Sequence, residues 1–202
     1  AAKRDVILSF HEEEPSLVPS PGVNDGSEAA KKFGVQGAMA AAETSMIARD
    51  IALSLDTGAR VLFQHVSSGQ SAALIRAGKA LGAKIYAEVT PHHLSLTEND
   101  VPAHGTYARM NPPLRKEADR QALIEALADG TIDMIATDHA PHTAEEKARD
   151  FAKAPSGITG LETAFSVCNT YLVQTGRLTP MQLLEKMSRN PAEIYGLTGR
   201  AV

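Results

Sequence analysis

The sequence contains a single cysteine, Cys168, so no internal disulfide can form. It sits in the helical-looking run "ETAFSVCNTYLV" and is expected in the core rather than as a nucleophile. No apolar stretch approaches the roughly 20 residues that a membrane-spanning helix needs. The opening "AAKRDVILSF" has too short an apolar segment, and no cleavage pattern, for a signal peptide. Basic blocks are also missing: 20 Lys and Arg stand against 24 Asp and Glu, for a net charge of -4. Nucleic acid and membrane are therefore not expected as partners. Low-complexity tracts and internal linkers are lacking. What remains is 202 residues, 43% hydrophobic and 22% charged, which suits one sizeable core in a reducing, cytoplasmic setting.

Strand and helix patterns alternate along this chain. "DVILSF" (5–10) is an apolar run ending at His11, and the long loop "EEEPSLVPSPGVNDG" follows. "AAETSMIARDIALSLDT" (41–57) predicts a helix closed by Gly58. "RVLFQHV" (60–66) predicts a strand, and Ser67 or Ser68 caps a helix over 70–81 that Gly82 ends. "AKIYAEVT" (83–90) predicts a third strand, "KEADRQALIEALAD" (116–129) a helix ended by Gly130, and "IDMIAT" (132–137) a fourth strand. Helices are predicted over 161–175 and 180–188, the second capped by Thr179 with Pro180 as its first residue. Asn190 and Pro191 repeat that signature for a last short helix. Strands this continuously apolar are buried on both faces, so the expected class is α/β, a parallel sheet covered by helices. Four such units are half of an eight-unit barrel.

Ionisable residues collect where the strands end: His11, His65, His92 and His93 after Thr90, and Asp138 with His139 and His142. In parallel α/β folds that rim is where sites are built. His11 and His65 are either hydrogen-bonded structural histidines or, with Asp138, ligands of a divalent metal; this donor set suits zinc. Asp138 also has the chemistry of a general base, and its plainer reading is a cap for the "HAPHT" turn. His142 is the candidate for ligand contact, whereas His139 is expected to pack or bond within the loop. Two prolines pin Asn111 in "RMNPPLR", which presets its amide for a substrate carbonyl and N–H or simply makes a rigid turn. Arg109 and Arg115 are expected at the surface or in ion pairs. His92 and His93 are expected to pack and cap beneath the mouth, and His104 to sit in an exposed loop. "EEE" (12–14) reads as a solvated face from which one carboxylate orients His11. Gly157 and Gly160 in "SGITG" permit close backbone approach to a ligand, or shape the turn.

Taken in order, "FQHVS", "AEVTPHHL", "MNPPLR", "ATDHAPHT" and "GITGLETA" resemble the dihydroorotases of the bacterial type I class. Those enzymes belong to the amidohydrolase superfamily of metal-dependent (β/α)8 barrels. The resemblance implies reversible cyclisation of N-carbamoyl-L-aspartate to L-dihydroorotate in de novo pyrimidine biosynthesis, with two zinc ions in the intact site. It implies that His11 and His65 match the histidine ligands after the fifth and sixth barrel strands. Asp138 matches the aspartate after the eighth strand, a zinc ligand that also takes a proton. Asn111 and His142 match contacts to the dihydroorotate ring and carboxylate, and the Ser156–Gly157 backbone matches a segment that binds the same substrate. Hydantoinase and allantoinase, related cyclic amidases, share the strand-end His and Asp.

The family also carries an HxH motif on its first strand near an arginine, and a metal-bridging aspartate or modified lysine from its fourth. No HxH occurs in this sequence. The expectation is a single domain over 1–202 forming a partial (β/α)8 TIM barrel, strands five to eight with their helices. On the same expectation the N-terminal half, and the small β-domain expected after "GLTGRAV", are absent from this chain. Zinc binding by this chain alone is expected to be weak or absent and catalysis negligible. Exposed sheet edges favour a homo-oligomer or docking to the missing half. Aspartate transcarbamoylase is an expected associate, as this class often associates with it. The alternative from another class is a non-catalytic partner-binding scaffold of a pyrimidine-synthesis complex.

Overall fold

The computed structural model describes residues 1–197 and 199; the end of "GLTGRAV" and the predicted return to a β-domain lie outside the described residues. Among the described residues four strands form one sheet: β1 (Ile7–Phe10), β2 (Arg60–Phe63), β3 (Ile85–Val89) and β4 (Met134–Ile135). They lie in the order β1-β2-β3-β4, and each neighbouring pair is parallel. The helices are α1 (Glu28–Phe33), α2 (Ala40–Thr57), α3 (Gly69–Ala80), α4 (Pro91–Ser95), α5 (Val101–His104), α6 (Glu117–Ala128), α7 (Ala144–Lys147), α8 (Ala164–Cys168), α9 (Pro180–Leu184) and α10 (Asn190–Ile194). No helix of the described residues is long and apolar enough to cross a membrane.

Alternation within the strands decides the two faces. Val61, Phe63, Ile85, Ala87 and Val89 point to one side and join Ile47, Ile75, Leu123, Leu127, Cys168 and Leu172 in the main core. Leu62 and Met134 point to the other, where among the described residues only Ile194 joins them as a buried partner, with Ile7 and Tyr86 half-buried alongside. Burial on both faces is therefore unequal, thick under the helices and thin opposite. A third cluster, built from Val23, Ala29, Ala30, Val101, Ala108, Met110, Leu114 and Phe151, gathers the long loops, and Phe33 stacks on Phe151 with ring centroids 4.1 Å apart.

Local signals explain most boundaries. Gly58 closes α2 at φ 70° in the left-handed region that glycine tolerates. Ser68 caps α3, its side chain accepting from the Ser71 N–H. Thr179 and Gln182 form a reciprocal capping box at α9. β4 is shorter than the apolar run 132–137. Backbone bonds from Asp133 N to Ala87 O (2.9 Å) and from Ala136 N to Val89 O (3.1 Å) continue the pairing past its ends. The predicted helices over 161–175 and 180–188 each pass into a wider π turn, at Asn169–Val173 and Glu185–Arg189. The second π turn leads directly into α10, so Asn190 is helical and not a cap. Its side chain donates to Asp133 O at 2.7 Å instead.

Cys168 is fully buried, and burial pushes its thiol up to about 12. A thiol held protonated and covered reacts slowly. Ellman's reagent near about pH 8 is expected to modify the folded chain far more slowly than the denatured chain. Equal rates would contradict this burial.

Candidate functional site

Parallel register sets the C-terminal ends of β1 and β2 side by side, Phe10 opposite Phe63. His11 leaves β1 directly, and His65 follows β2 after one intervening residue. His65 and Asp138 have φ of 34° and 48°; among the described residues Asp5 is the only other non-glycine with positive φ. Such backbone costs about 1–2 kcal/mol per residue, and strain of this kind concentrates where side chains must be aimed. His11 Nδ1 lies 2.8 Å from His65 Nε2, with the rings edge to face at 75°. His11 Nε2 is 3.3 Å from Glu13 Oε2, and that oxygen accepts from Asn111 Nδ2 at 2.6 Å. Four residues from two loops and two strand ends thus form a continuous polar chain. The Asn111 Oδ1 atom is buried without a hydrogen-bond partner and so remains available to a donor.

Burial, then the neighbouring His11, pushes the His65 pKa down, while the Asp138 and Glu43 charges pull it up. A neutral imidazole is the metal-binding form. Burial also lifts Glu88 on β3 to about 7; the His65 backbone N–H opposes that rise and the Asp138 charge adds to it. Asp138 therefore lies within electrostatic reach of His65 and Glu88, on the same rim. Two converging imidazoles and a nearby carboxylate have the donor chemistry of a zinc centre. Among the described residues, however, no group of three or more His, Cys, Asp or Glu side chains is gathered around one metal position. The side chains fit part of a metal centre, with His11 and His65 as its assembled portion.

The remaining site residues form a second group. His142 Nε2 lies 3.0 Å from Ser156 O, and Ser156 Oγ accepts from Arg109 Nη1 at 2.6 Å. Gly157 N donates to Arg109 O at 3.0 Å. Gly157 has φ of 145°, and a Cβ there would fall 2.7 Å from Ala140 O and 2.9 Å from His142 Nε2, so only glycine fits. This glycine serves close packing within the loop. Gly160 likewise approaches Thr137, and its N–H donates to His139 Nδ1 at 3.0 Å. His93 is buried, bonded to Thr90 Oγ1 at 2.8 Å and to the Pro112 carbonyl at 3.2 Å. The His92 ring lies against it, tilted by 46°, and burial depresses the His92 pKa to about 3.

Three residues depart from the expectation of solvent exposure. Arg109 and Arg115 are buried, and so is Glu12 at 6% exposure. Arg115 donates through Nη1 to Asn24 Oδ1 and Ala38 O, both at 2.7 Å, and through Nε to Ser67 Oγ at 3.2 Å. Glu43, which sequence reasoning missed, completes that network. It accepts from Ser67 N at 3.0 Å, Ser67 Oγ at 2.5 Å, Ser68 N at 3.2 Å and the Ser71 hydroxyl. This carboxylate holds the turn that presents His65. A signal existed: Glu43 heads the stripe 43, 47, 50, 51 and 54, the buried face of α2. An acid on an apolar face needs partners to offset its desolvation. Lys147, also missed, is equally buried and carried no such pattern.

Glu12 is lifted to about 8 by burial, then by the charge of Asp50 and a hydrogen bond with it. Its folded pKa lies above the unfolded value, so the stabilising contribution is full below about pH 4.5 and is lost as pH rises through about 8. Glu12→Gln is expected to flatten this loss, gaining on the order of 2 kcal/mol over wild type above about pH 8. Urea titrations at pH values on both sides of that window read it; parallel stability curves for the two proteins would refute it.

The model of the amidohydrolase family matches residues 13–201. A dihydroorotase of Clostridioides difficile is 57% identical over 98% of this chain and 47% of its own length. A dihydroorotase of Clostridium acetobutylicum is 51% identical over 98% of this chain and 46% of its own length. The chain thus spans about half the length of the curated relatives it matches. Among solved structures, an L-hydantoinase (dihydropyrimidinase) from Arthrobacter aurescens superposes with a TM-score of 0.86 at 27% identity, over 99% of this chain and 46% of that one. A D-hydantoinase (dihydropyrimidinase) from Thermus sp. gives 0.85 at 26% identity, over 99% and 45%. With a family model matched across nearly all of its length, this chain belongs to the amidohydrolase family.

Proposed function

We propose that this chain is the part of a dihydroorotase that supplies strands five to eight of a (β/α)8 barrel, and that the complete protein interconverts N-carbamoyl-L-aspartate and L-dihydroorotate. The observation that carries the reading is the 2.8 Å approach of His11 and His65 at adjacent strand ends, tied through Glu13 to Asn111. The "TDHAPHT" and "NPPLR" motifs, and the similarity to dihydroorotases, favour this cyclic amide over others.

In this reading His11, His65 and Asp138 hold zinc, with further ligands from the rest of the protein. Zinc, when bound, supplies the Lewis acidity that activates water and polarises the ring amide carbonyl. Asp138 takes the proton from the attacking water and delivers it to the departing ring nitrogen. His65, kept neutral by burial, offers its lone pair. Asn111 presents its unpartnered Oδ1 to a ring N–H. His142, Ser156 and Gly157 hold the ring and its carboxylate. The complete protein is read as a cytoplasmic biosynthetic enzyme.

The hydantoinase structures favour a second reading, a cyclic amidase with a different ring. Assays of the complete protein on dihydroorotate, hydantoin and allantoin separate the two, and turnover of dihydroorotate well above the others is expected. Asp138→Asn is expected to lower kcat on the order of a thousandfold with little change in KM. A variant retaining near wild-type kcat would remove Asp138 from the chemistry. For the 202-residue chain alone, calorimetric zinc titration is expected to give binding far weaker than in the complete protein, and no measurable turnover. Full activity from this polypeptide would sink the half-site reading.

A further inference from the structure

Lys147 ends α7, the short helix that follows His142, and is 4% exposed. Among the described residues no carboxylate is paired with it. Its ammonium is surrounded by backbone carbonyl oxygens: Gly157 O at 2.6 Å, Pro155 O at 3.0 Å, Thr106 O at 3.1 Å and Arg109 O at 3.4 Å. The Thr106 hydroxyl returns the contact by donating to Lys147 O. Burial, then the positive charge of Arg109, depresses the Lys147 pKa, so the location opposes the charge that occupies it. A buried cation so placed persists when several acceptors must otherwise go unsatisfied. Two loops meet at this point: 106–109, which leads into Asn111, and 142–157, which carries His142, Ser156 and Gly157.

We infer that Lys147 is a latch that positions the substrate-carboxylate loop, setting affinity for the acidic substrate without entering the chemistry. The inference rests on the functional reading above for the nature of the substrate. A trans peptide directs its C=O and N–H to opposite sides. Drawing the Pro155 and Gly157 carbonyls onto Nζ therefore turns the N–H groups of Ser156 and Ile158 away from the cation; Ile158 is engaged in a parallel bridge with His139, which leaves the Ser156 N–H as the donor. A donor fixed in that direction suits a carboxylate. The Ser156 carbonyl, on the peptide between them, is left to His142. One ammonium thus orients two alternate peptide planes, and α7 anchors it: Thr143 and Glu146 cap that helix reciprocally, immediately after His142. A neutral side chain of similar length cannot replace it, because the inward carbonyls would face apolar surface and the loop would turn over.

The test uses the complete protein, with Lys147→Met and the milder Thr106→Val, which keeps the ammonium but removes the returning hydrogen bond. Lys147→Met is expected to raise KM for dihydroorotate about tenfold or more while kcat changes about twofold or less. Thr106→Val is expected to raise KM about threefold. Hydrogen exchange should quicken in a peptide spanning 155–158 in both variants, and zinc content should match wild type. An unchanged KM with unchanged exchange in a folded variant overturns the latch; a fall in kcat with KM constant overturns it as well. Should Lys147→Met fail to fold, Thr106→Val decides by the same readouts. If wild type does not turn over dihydroorotate, the functional reading falls and exchange at 155–158 alone judges the latch, faster exchange supporting it and unchanged exchange overturning it.

Discussion

Parallel pairing is the constraint on which the rest of the molecule depends. When every strand runs the same way, every strand ends on the same rim, and each return crossing must travel back outside the sheet. The crossings α2, α3 and α6 cover one face and build the main core. The rim receives what the apolar runs cannot hold: imidazoles, carboxylates and the loops that carry them. The approach of His11 to His65 follows from Phe10 lying opposite Phe63, with no dedicated contact between their loops required to bring them level.

Precision at the rim comes from buried polar groups bonded mostly to backbone. Glu43 collects two N–H groups and two hydroxyls, Arg115 two carbonyl-type oxygens and a hydroxyl, and Lys147 a ring of carbonyls. The three have the same logic with opposite signs. Loop backbone that leaves the surface must find partners, and a single charged side chain satisfies several groups at once. Removing one member strands all of its partners together, so these residues bear on loop geometry more than their individual bonds suggest.

The alternation of strand and helix was legible because its signals are local. Apolar runs of strand length stop at turn residues, and Gly58 and Ser68 mark a helix end and a helix start through their own conformational preferences. Strand-end histidines were legible for a related reason, since chemistry at the end of a buried run has few places to go. The short helices α1, α4, α5 and α7 were not, because each is too short to show a period. Asn190 looked like a cap, yet a carbonyl from the neighbouring strand claims its side chain. Arg109, Arg115 and Glu12 were misplaced for one physical reason. A charge reads as exposed unless distant partners are known: Glu12 meets Asp50 on α2, Arg109 meets Ser156, and Arg115 meets Asn24, Ala38 and Ser67. Lys147 was invisible in the same way, as its acceptors are backbone atoms that every residue possesses.

The Phe33–Phe151 stack brings together the loop after the first strand and the loop after the last. Both rings sit in a cluster separate from the sheet's own core. The sheet and its helices can assemble from neighbours in sequence, whereas this cluster needs segments as far apart as Phe33 and Phe151 to meet. Contacts of such long separation form late and, being few, open early. The segments over the rim thus pack on one another in a cluster of their own. Order at one segment is shared with the other through the whole cluster, in which the ring stack is one contact among several.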